Sequence, residues 1–427
     1  MTATITTEIN IIAALAPARR VESTHELLSP FNCMIPPENQ CSSFEIDFTR
    51  WPVQSQCFSV QSHFAHIILV KSLEKEDFVA GNLRKRFHET PPRVRVTDVA
   101  RRAGVAAATV SRAINNPDKV SPDKRAKIEA AMAELGYVRN HAARALRSQR
   151  SHMVGVLIPT LDYALYASLV GAAGRQFSAA GISTLIATFD YDLKTEFKEA
   201  RLLLEQGAEA LILIGQEHDS RLFSLLEQFD VPFVSTYVTD PDGKLPSVGF
   251  DNAAAAASVA RHLVHLGHRR IGVISGNTQD NDRTAKRLQG IRDELQCHGI
   301  DLNDSMVLER GYSIANGREA CAAILSRVQP PPTAIICGND VLALGAIVEC
   351  RARGVRVPED VSIAGFDNIE LSQHSNPPLT TVGVPAEEMG GTAATFLLNK
   401  LEGRDAPPHT SVEVQLILRE STAPPAA

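Results

Sequence analysis

From Met153 onward, short runs of β-branched and apolar residues alternate with amphipathic helical stretches. Nothing else in the sequence restricts the fold so strongly. VGVLIP (154–159), STLIAT (183–188), ALILIG (210–215), RIGVISG (270–276), TAIICG (333–338) and VSIAGFD (361–367) read as strands. Between them, residues 164–180, 193–206, 252–266, 284–298, 313–327 and 340–353 read as helices, the first two stopped by Gly181 and Gly207. Continuous apolar strands separated by helices are what a parallel sheet covered on both faces requires. The expected body is therefore α/β and doubly wound. Ligands of such open sheets sit beyond the carboxyl ends of the strands. Polar residues at those ends, Asp240, Asn339, Asp340 and Asp367, are the first candidates for a site.

The 427 residues suffice for two or three domains, and 44% hydrophobic with 22% charged residues is an ordinary globular balance. A formal net charge of −6 by itself argues against a nucleic-acid partner. Its distribution argues the other way. Residues 91–150 hold 13 Lys/Arg against five acidic residues, a balance of +8, which leaves −14 on the rest of the chain. A basic module joined to an acidic body suits a polyanionic partner for the module alone, the alternative being a merely solvated charged surface. No run approaches the ~18 apolar residues of a membrane span. The N-terminus has no basic residue ahead of its short apolar stretch, so it lacks the layout of a secretory signal. The seven cysteines are scattered without a CxxC pair, which predicts reduced thiols in a cytoplasm and neither zinc nor another cofactor.

Within the basic module, VTDVARRAGVAAATVSRAIN (96–115) has a definite shape. Val96, Val99, Ala100 and Ala103 fall at helical spacing, and Gly104 ends that helix. A second helix restarts two residues later around Val110 and Ile114, presenting Ala107, Ala108, Thr109, Ser111 and Arg112. A third follows in SPDKRAKIEAAMAELGY (121–137), with Ser121 as N-cap, Pro122 at the first helical position and Gly136 as the stop. Helix, short glycine turn, helix is the layout that sends its second helix into a DNA major groove.

The stretch VTDVARRAGVAAATVSRAINNPDKVSPDKRAKIEAAMAELGYVRNHAARALRS resembles the headpiece of lactose-repressor-like (LacI/GalR) transcription regulators. DVA, AGV, TVSR, the VS before the third helix, ELGY and the N-x-x-A-x-x-L tail carry that resemblance, and residues 153–422 resemble the same family's effector domain. It implies an N-terminal all-α helix-turn-helix headpiece plus an α/β two-lobed periplasmic-binding-protein-like domain. The implied divisions are an extension at 1–90, a headpiece at 93–138, a hinge helix at 139–150 and an effector and dimerisation domain at 152–422. Its lobes would comprise 152–248 with 382–405, and 249–381 with 406–422. For 1–90 the expectations are a disordered or partner-binding extension, or a start codon annotated upstream of the true one near Val79.

The resemblance also implies roles at matching positions. Arg112 would read guanine, and a bidentate contact to O6 and N7 is worth about 1–3 kcal/mol of discrimination. Ala107 and Ala108 occupy specificity positions but can offer base edges only methyl contact. Ala106 replaces the usual serine, which predicts an uncapped recognition helix. Thr97, Thr109, Ser111, Ser121 and Asn140 would contact phosphates. Leu146 would wedge between base pairs in the minor groove, so Leu146→Ala should weaken operator binding without unfolding the protein. In the body, Arg287 of R-L-Q-G and Asp367 of GFDN would hold ligand hydroxyls or carboxylates, while Asn339 of GND, Leu165, Tyr166 and Asp240 would line the same cleft. The alternative for each polar residue is a helix cap or an inter-strand hydrogen bond.

These implications describe a DNA-binding repressor of a carbohydrate or sugar-acid operon. Its partners would be a double-stranded palindromic operator, a small effector (sugar, sugar acid or sugar phosphate) and further copies of itself as a homodimer or tetramer, with no membrane. It would reside in a bacterial cytoplasm, on the nucleoid when bound to DNA. TFDYD and VGFDN resemble gluconate-type repressors, which favours a sugar acid. An enzyme is not expected, because GxGxxG, GxxxxGK and GxSxG are all missing from the sequence. The triplet His262, His265 and His268 could suggest a metal, but LGHRRI is a recurrent helix-to-strand phrase in this family. The remaining alternative is a cytoplasmic sugar-binding protein without productive DNA binding.

Overall fold

A computed structural model describes residues 94–138 and 150–426, apart from 241, 242, 244 and 328. The expected extension at 1–90 and most of the hinge helix, with Asn140 and Leu146, lie outside the described residues. The chain divides into two units between Val138 and Arg139.

In the first unit, α1 (Val96–Ala103), α2 (Ala107–Asn115) and α3 (Pro122–Leu135) fold around a small core of Val99, Ala100, Val110, Ile128 and Ala131. Met132, Leu135 and Tyr137 pack against it half-buried. The backbone N–H of Arg95 donates to the Asp98 carboxylate at 2.9 Å, opening α1. Gly104 ends it at φ +67°, a left-handed conformation that a Cβ would strain. Ala106 stands at the N-cap of α2 without a side-chain hydrogen bond, as its missing hydroxyl dictates. Ser121 corrects the expectation made for it. It occupies the N-cap position of α3, yet only its carbonyl takes part, accepting from the N–H groups of Lys124 and Arg125.

The second unit holds two six-stranded sheets. The first contains β1 (Met153–Ile158), β2 (Ser183–Thr188), β3 (Leu211–Ile214), β4 (Phe233–Thr236), β5 (Ser247–Gly249) and β11 (His409–Ser411), in the order β11-β5-β4-β3-β1-β2. The second contains β6 (Ile271–Ser275), β7 (Val307–Glu309), β8 (Ala334–Cys337), β9 (Ser362–Asp367), β10 (Thr380–Gly383) and β12 (Gln415–Ile417), in the order β12-β10-β9-β8-β6-β7. All neighbours are parallel except β10 and β12. The two sheets are thus wound alike. Helices α4 (Ala164–Ala179), α5 (Leu193–Glu205), α6 (Ser220–Gln228) and α12 (Ala386–Leu401) accompany the first sheet. Helices α7 (Asn252–His265), α8 (Asp282–Cys297), α9 (Ile314–Arg327) and α10 (Asp340–Ala352) accompany the second, with the short α11 (Glu370–His374) following β9.

The strand pairing shifts the expected lobe boundaries. Gly249 belongs to the first sheet, and Val382 and Gly383 stay in the second. Residues 409–411 join β5 rather than the second lobe, so the last crossing falls between β11 and β12. These strands have three or four residues, too few for a period to show in sequence. Two of the three histidines of the triplet are engaged by the fold, while His265 is exposed. His262 meets the Thr422 hydroxyl at 3.1 Å, and buried His268 bridges the Thr333 hydroxyl and the Ala423 carbonyl, both at 2.9 Å. No helix among the described residues is long and apolar enough to cross a membrane.

Candidate functional sites

The first candidate lies on α2. Ala107, Ala108 and Arg112 are exposed, while Thr109 and Ser111 are half-buried and Val110 points into the core. Thr97 and Ser121 are exposed as well. Neighbouring arginines are already engaged: Arg102 with Glu134 at 2.6 Å, Arg125 with Glu129 at 2.8 Å and Arg101 with Asp98 at 3.5 Å. Among the described residues the Arg112 side chain has no hydrogen-bond or ion-pair partner, while its carbonyl accepts from the Asn116 N–H at 2.8 Å. An exposed, unpaired guanidinium on a helix otherwise faced with alanine can approach a flat polar edge closely.

The second candidate lies between the two sheets of the body, at the carboxyl ends of their strands. A cavity is lined there by residues of both lobes. Five of the chain's six tyrosines reach it: Tyr163, Tyr166, Tyr191, Tyr237 and Tyr312. Tyr163 lies parallel to Tyr312 with centroids 6.1 Å apart, and Tyr166 meets Tyr237 edge-on at 5.6 Å. Burial holds the hydroxyls of Tyr191, Tyr237 and Tyr312 in their neutral, donating form by pushing their pKa values up.

The other lobe contributes charge and hydrogen-bonding groups. Arg287, on α8, donates from Nε to Asn252 Oδ1 at 2.8 Å and from Nη1 to the Gly338 carbonyl at 3.2 Å. Its guanidinium stacks 3.7 Å from the Phe366 ring centre and lies 3.6 Å from Asp367. Burial pushes Arg287 down to about 10 and Asp367 well above the usual carboxylate range, because each charge has lost its water. Gly290 explains the R-x-x-G pattern. A Cβ there would fall 2.2 Å from the Ala253 carbonyl oxygen, so glycine lets α8 press onto α7 and brings Arg287 to Asn252.

Asn339 and Asn281 do double duty. Each caps a helix, accepting from Leu342 N–H at 2.9 Å and Thr284 N–H at 3.4 Å respectively, and each lines the cavity. Two cavity atoms remain without a hydrogen-bond partner, Asn339 Nδ2 and Asp367 Oδ1. Tyr163 donates to the other oxygen of Asp367, joining the lobes.

Of the residues singled out from sequence, Leu165, Tyr166, Arg287, Asn339 and Asp367 meet in this cavity. Asp240 does not. Its carboxylate accepts from the Leu245 N–H at 2.5 Å, closing its own loop. Asp340 is likewise diverted, accepting from Thr381 Oγ1 at 2.5 Å and from the N–H of Ile369, just past the end of β9, at 2.9 Å. Sequence reasoning missed Tyr163, Tyr191, Tyr237, Asn281, Arg283, Thr284 and Tyr312. The signal was available, since Tyr163, Tyr191, Tyr237 and Tyr312 each follow a strand end within five residues.

Residues 95–140 match the family model of bacterial regulatory proteins of the lacI family, and residues 260–422 match a periplasmic binding protein-like domain. The regulator DegA of Bacillus subtilis is 33% identical over 337 residues, covering 77% of this chain and 98% of DegA. The repressor CytR of Escherichia coli is 34% identical over 332 residues, covering 76% and 95%. A crystal structure of the lac repressor dimer bound to operator and the anti-inducer ONPF superposes with a TM-score of 0.69 at 29% identity, covering 77% of this chain and 99% of that one.

Proposed function

We infer that this chain, which belongs to the lacI family of bacterial regulatory proteins, represses a set of genes by holding a palindromic operator as a homodimer and responds to a small polyhydroxyl effector. The observation that carries this is the pairing of two unlike surfaces in one chain: a basic three-helix unit with an unpaired arginine on α2, and an aromatic cavity between two lobes.

Arg112 reads guanine, and Ala107 and Ala108 let the helix approach thymine methyls. Thr97, Thr109, Ser111 and Ser121 serve phosphates, which fix register without reading sequence. Asn140 and Leu146 extend the same interface. In the body, Arg287, Asp367 and Asn339 orient the effector while Leu165 and Tyr166 supply apolar contact. The effector acts by favouring one lobe arrangement, and can shift the equilibrium only by its difference in affinity for the two.

The test is a fluorescence-anisotropy titration of full-length protein against a palindromic duplex and a scrambled control. Specific binding should fall steeply with salt, because each phosphate contact releases a counterion. Equal affinity for both duplexes would instead favour a sugar-binding protein without productive DNA binding.

A further inference from the structure

Ahead of β1, one carboxylate holds three consecutive residues of the chain that leads toward the headpiece. Glu209 stands between α5 and β3, and its own N–H donates to the Met153 carbonyl of β1 at 2.8 Å, which fixes it to the first sheet. Its Oε2 accepts from Arg150 Nε at 3.1 Å and from Arg150 Nη2 at 2.9 Å. Its Oε1 accepts from the Ser151 N–H, and from the His152 N–H at 3.0 Å. The same arginine donates from Nη1 to the Leu401 carbonyl at 3.4 Å, at the negative C-terminal end of α12. The Ser151 hydroxyl donates to the Gly207 carbonyl.

An ordinary surface ion pair fixes two side-chain tips and contributes little. Glu209 instead gathers a guanidinium and two successive backbone N–H groups, so it fixes the path of the main chain. Burial by itself would raise its carboxyl, yet the donors on Arg150, His152 and Ser151 hold it below the usual carboxylate range. His152 stands at φ 57°, a left-handed conformation that a residue with a Cβ keeps only where its surroundings dictate it. The register of β1 with β2 starts at Met153, so the clamp and the strained residue both fall on the segment ahead of the sheet.

Eleven residues, 139–149, separate Val138 from Arg150 in the sequence. Releasing residues 150–152 would add three more to that tether. At ~3.3–3.6 Å per extended residue the added reach is up to about 10 Å per subunit, roughly three base pairs of duplex. We propose that Glu209 is a positioning residue for operator choice: by fixing where the chain leaves the first lobe, it sets the half-site spacing that the dimer accepts. This rests on the reading of the chain as a homodimer on a palindromic operator.

Two readouts on full-length protein test it. In limited trypsin digestion followed by mass, Glu209→Gln and Glu209→Ala should yield a body beginning at Ser151 about tenfold faster than wild type, whose Arg150 is held. Anisotropy then compares a duplex from the chain's own upstream region with copies carrying one or two extra base pairs at its centre. Wild type should prefer one spacing by about tenfold or more. Glu209→Ala should narrow that preference to about threefold or less, with weak binding to a scrambled duplex unchanged. Arg150→Gln, which alters only the segment ahead of β1, should narrow it in the same direction and serves if Glu209→Ala does not fold. A clamp that is merely structural would lower the melting temperature and weaken every spacing alike, and that result overturns the proposal. So does a folded variant with the wild-type spacing preference, or wild-type Arg150 cut as fast as in the variants. Wild type that binds every spacing no better than the scrambled duplex would overturn the regulator reading itself, and the role of Glu209 with it.

Discussion

The two lobes of the body share one winding order yet present opposite chemistry to the cleft between them. The first brings ring faces: Tyr163, Tyr166, Tyr191 and Tyr237. The second brings Arg283, Arg287, Asn281, Asn339 and Asp367, with a single tyrosine, Tyr312. The winding decides where side chains converge, at the strand ends where helices begin. It does not decide what they are. One lobe offers apolar surface that tolerates small displacement, whereas the other offers directional groups that do not.

The largest effect should come from the joint between them. Asn252 donates to the Tyr237 carbonyl at 2.7 Å and accepts from Arg287, so it ties the guanidinium to the first lobe's last tyrosine. Asn252→Ala should cost about 3 kcal/mol in urea denaturation, because it strands a buried charge and a buried carbonyl. A loss below about 0.5 kcal/mol would mean that the lobes are organised independently of it. Gly290→Ala comes next, at about 2 kcal/mol, since backbone rather than a flexible side chain meets the added carbon. It should also lower ligand affinity, whereas an equally deep exposed-helix alanine should not.

Asp340 gives a pH signature confined to the second lobe. Burial pushes its carboxyl up to about 7, above its unfolded value, so its contribution is fully present below about pH 4 and is lost as pH rises through 7. Asp340→Asn should flatten that part of the stability profile, measured as melting temperature against pH; an unchanged profile would remove Asp340 as its source. The smallest effect belongs to the first lobe. Tyr166→Phe keeps the ring and loses only a 3.3 Å contact with the Tyr191 hydroxyl, so stability should change by less than about 1 kcal/mol. A larger loss would make the lobes more alike than their linings suggest.

Legibility in the sequence followed element length and the distance over which a signal acts. The six apolar strands read from sequence reappear within a residue or so at each end, because each lies in a largely apolar run, even the four-residue Leu211–Ile214 and Ala334–Cys337. Phe233–Thr236 ends in Ser and Thr, and Ser247–Gly249, His409–Ser411 and Gln415–Ile417 have three residues each, so no apolar run marks them, and they decide which lobe the C-terminal segment joins. Arg287, Asn339 and Asp367 stood out through local motifs. Asp240 met the same strand-end criterion and was taken by its own loop, a local hydrogen bond that composition cannot foretell. The tyrosines escaped because no motif links them; only the folded sheets bring residues from 163 to 312 together. The missing cap at Ala106 was legible from one residue, since the absence of a side-chain oxygen needs no tertiary context.

Arg112 is the residue on which the whole functional account turns. It is exposed and unpaired among the described residues, so Arg112→Ala should leave the fold intact. The direct measurement is anisotropy of a labelled duplex from the chain's own upstream region, titrated with wild type and Arg112→Ala at about 50 and 200 mM salt. Wild type should bind this duplex far more tightly than a scrambled one, with the variant losing about 1–3 kcal/mol of that preference at low salt. Equal binding of both duplexes by a natively folded wild type, or a variant as selective as wild type, would contradict it.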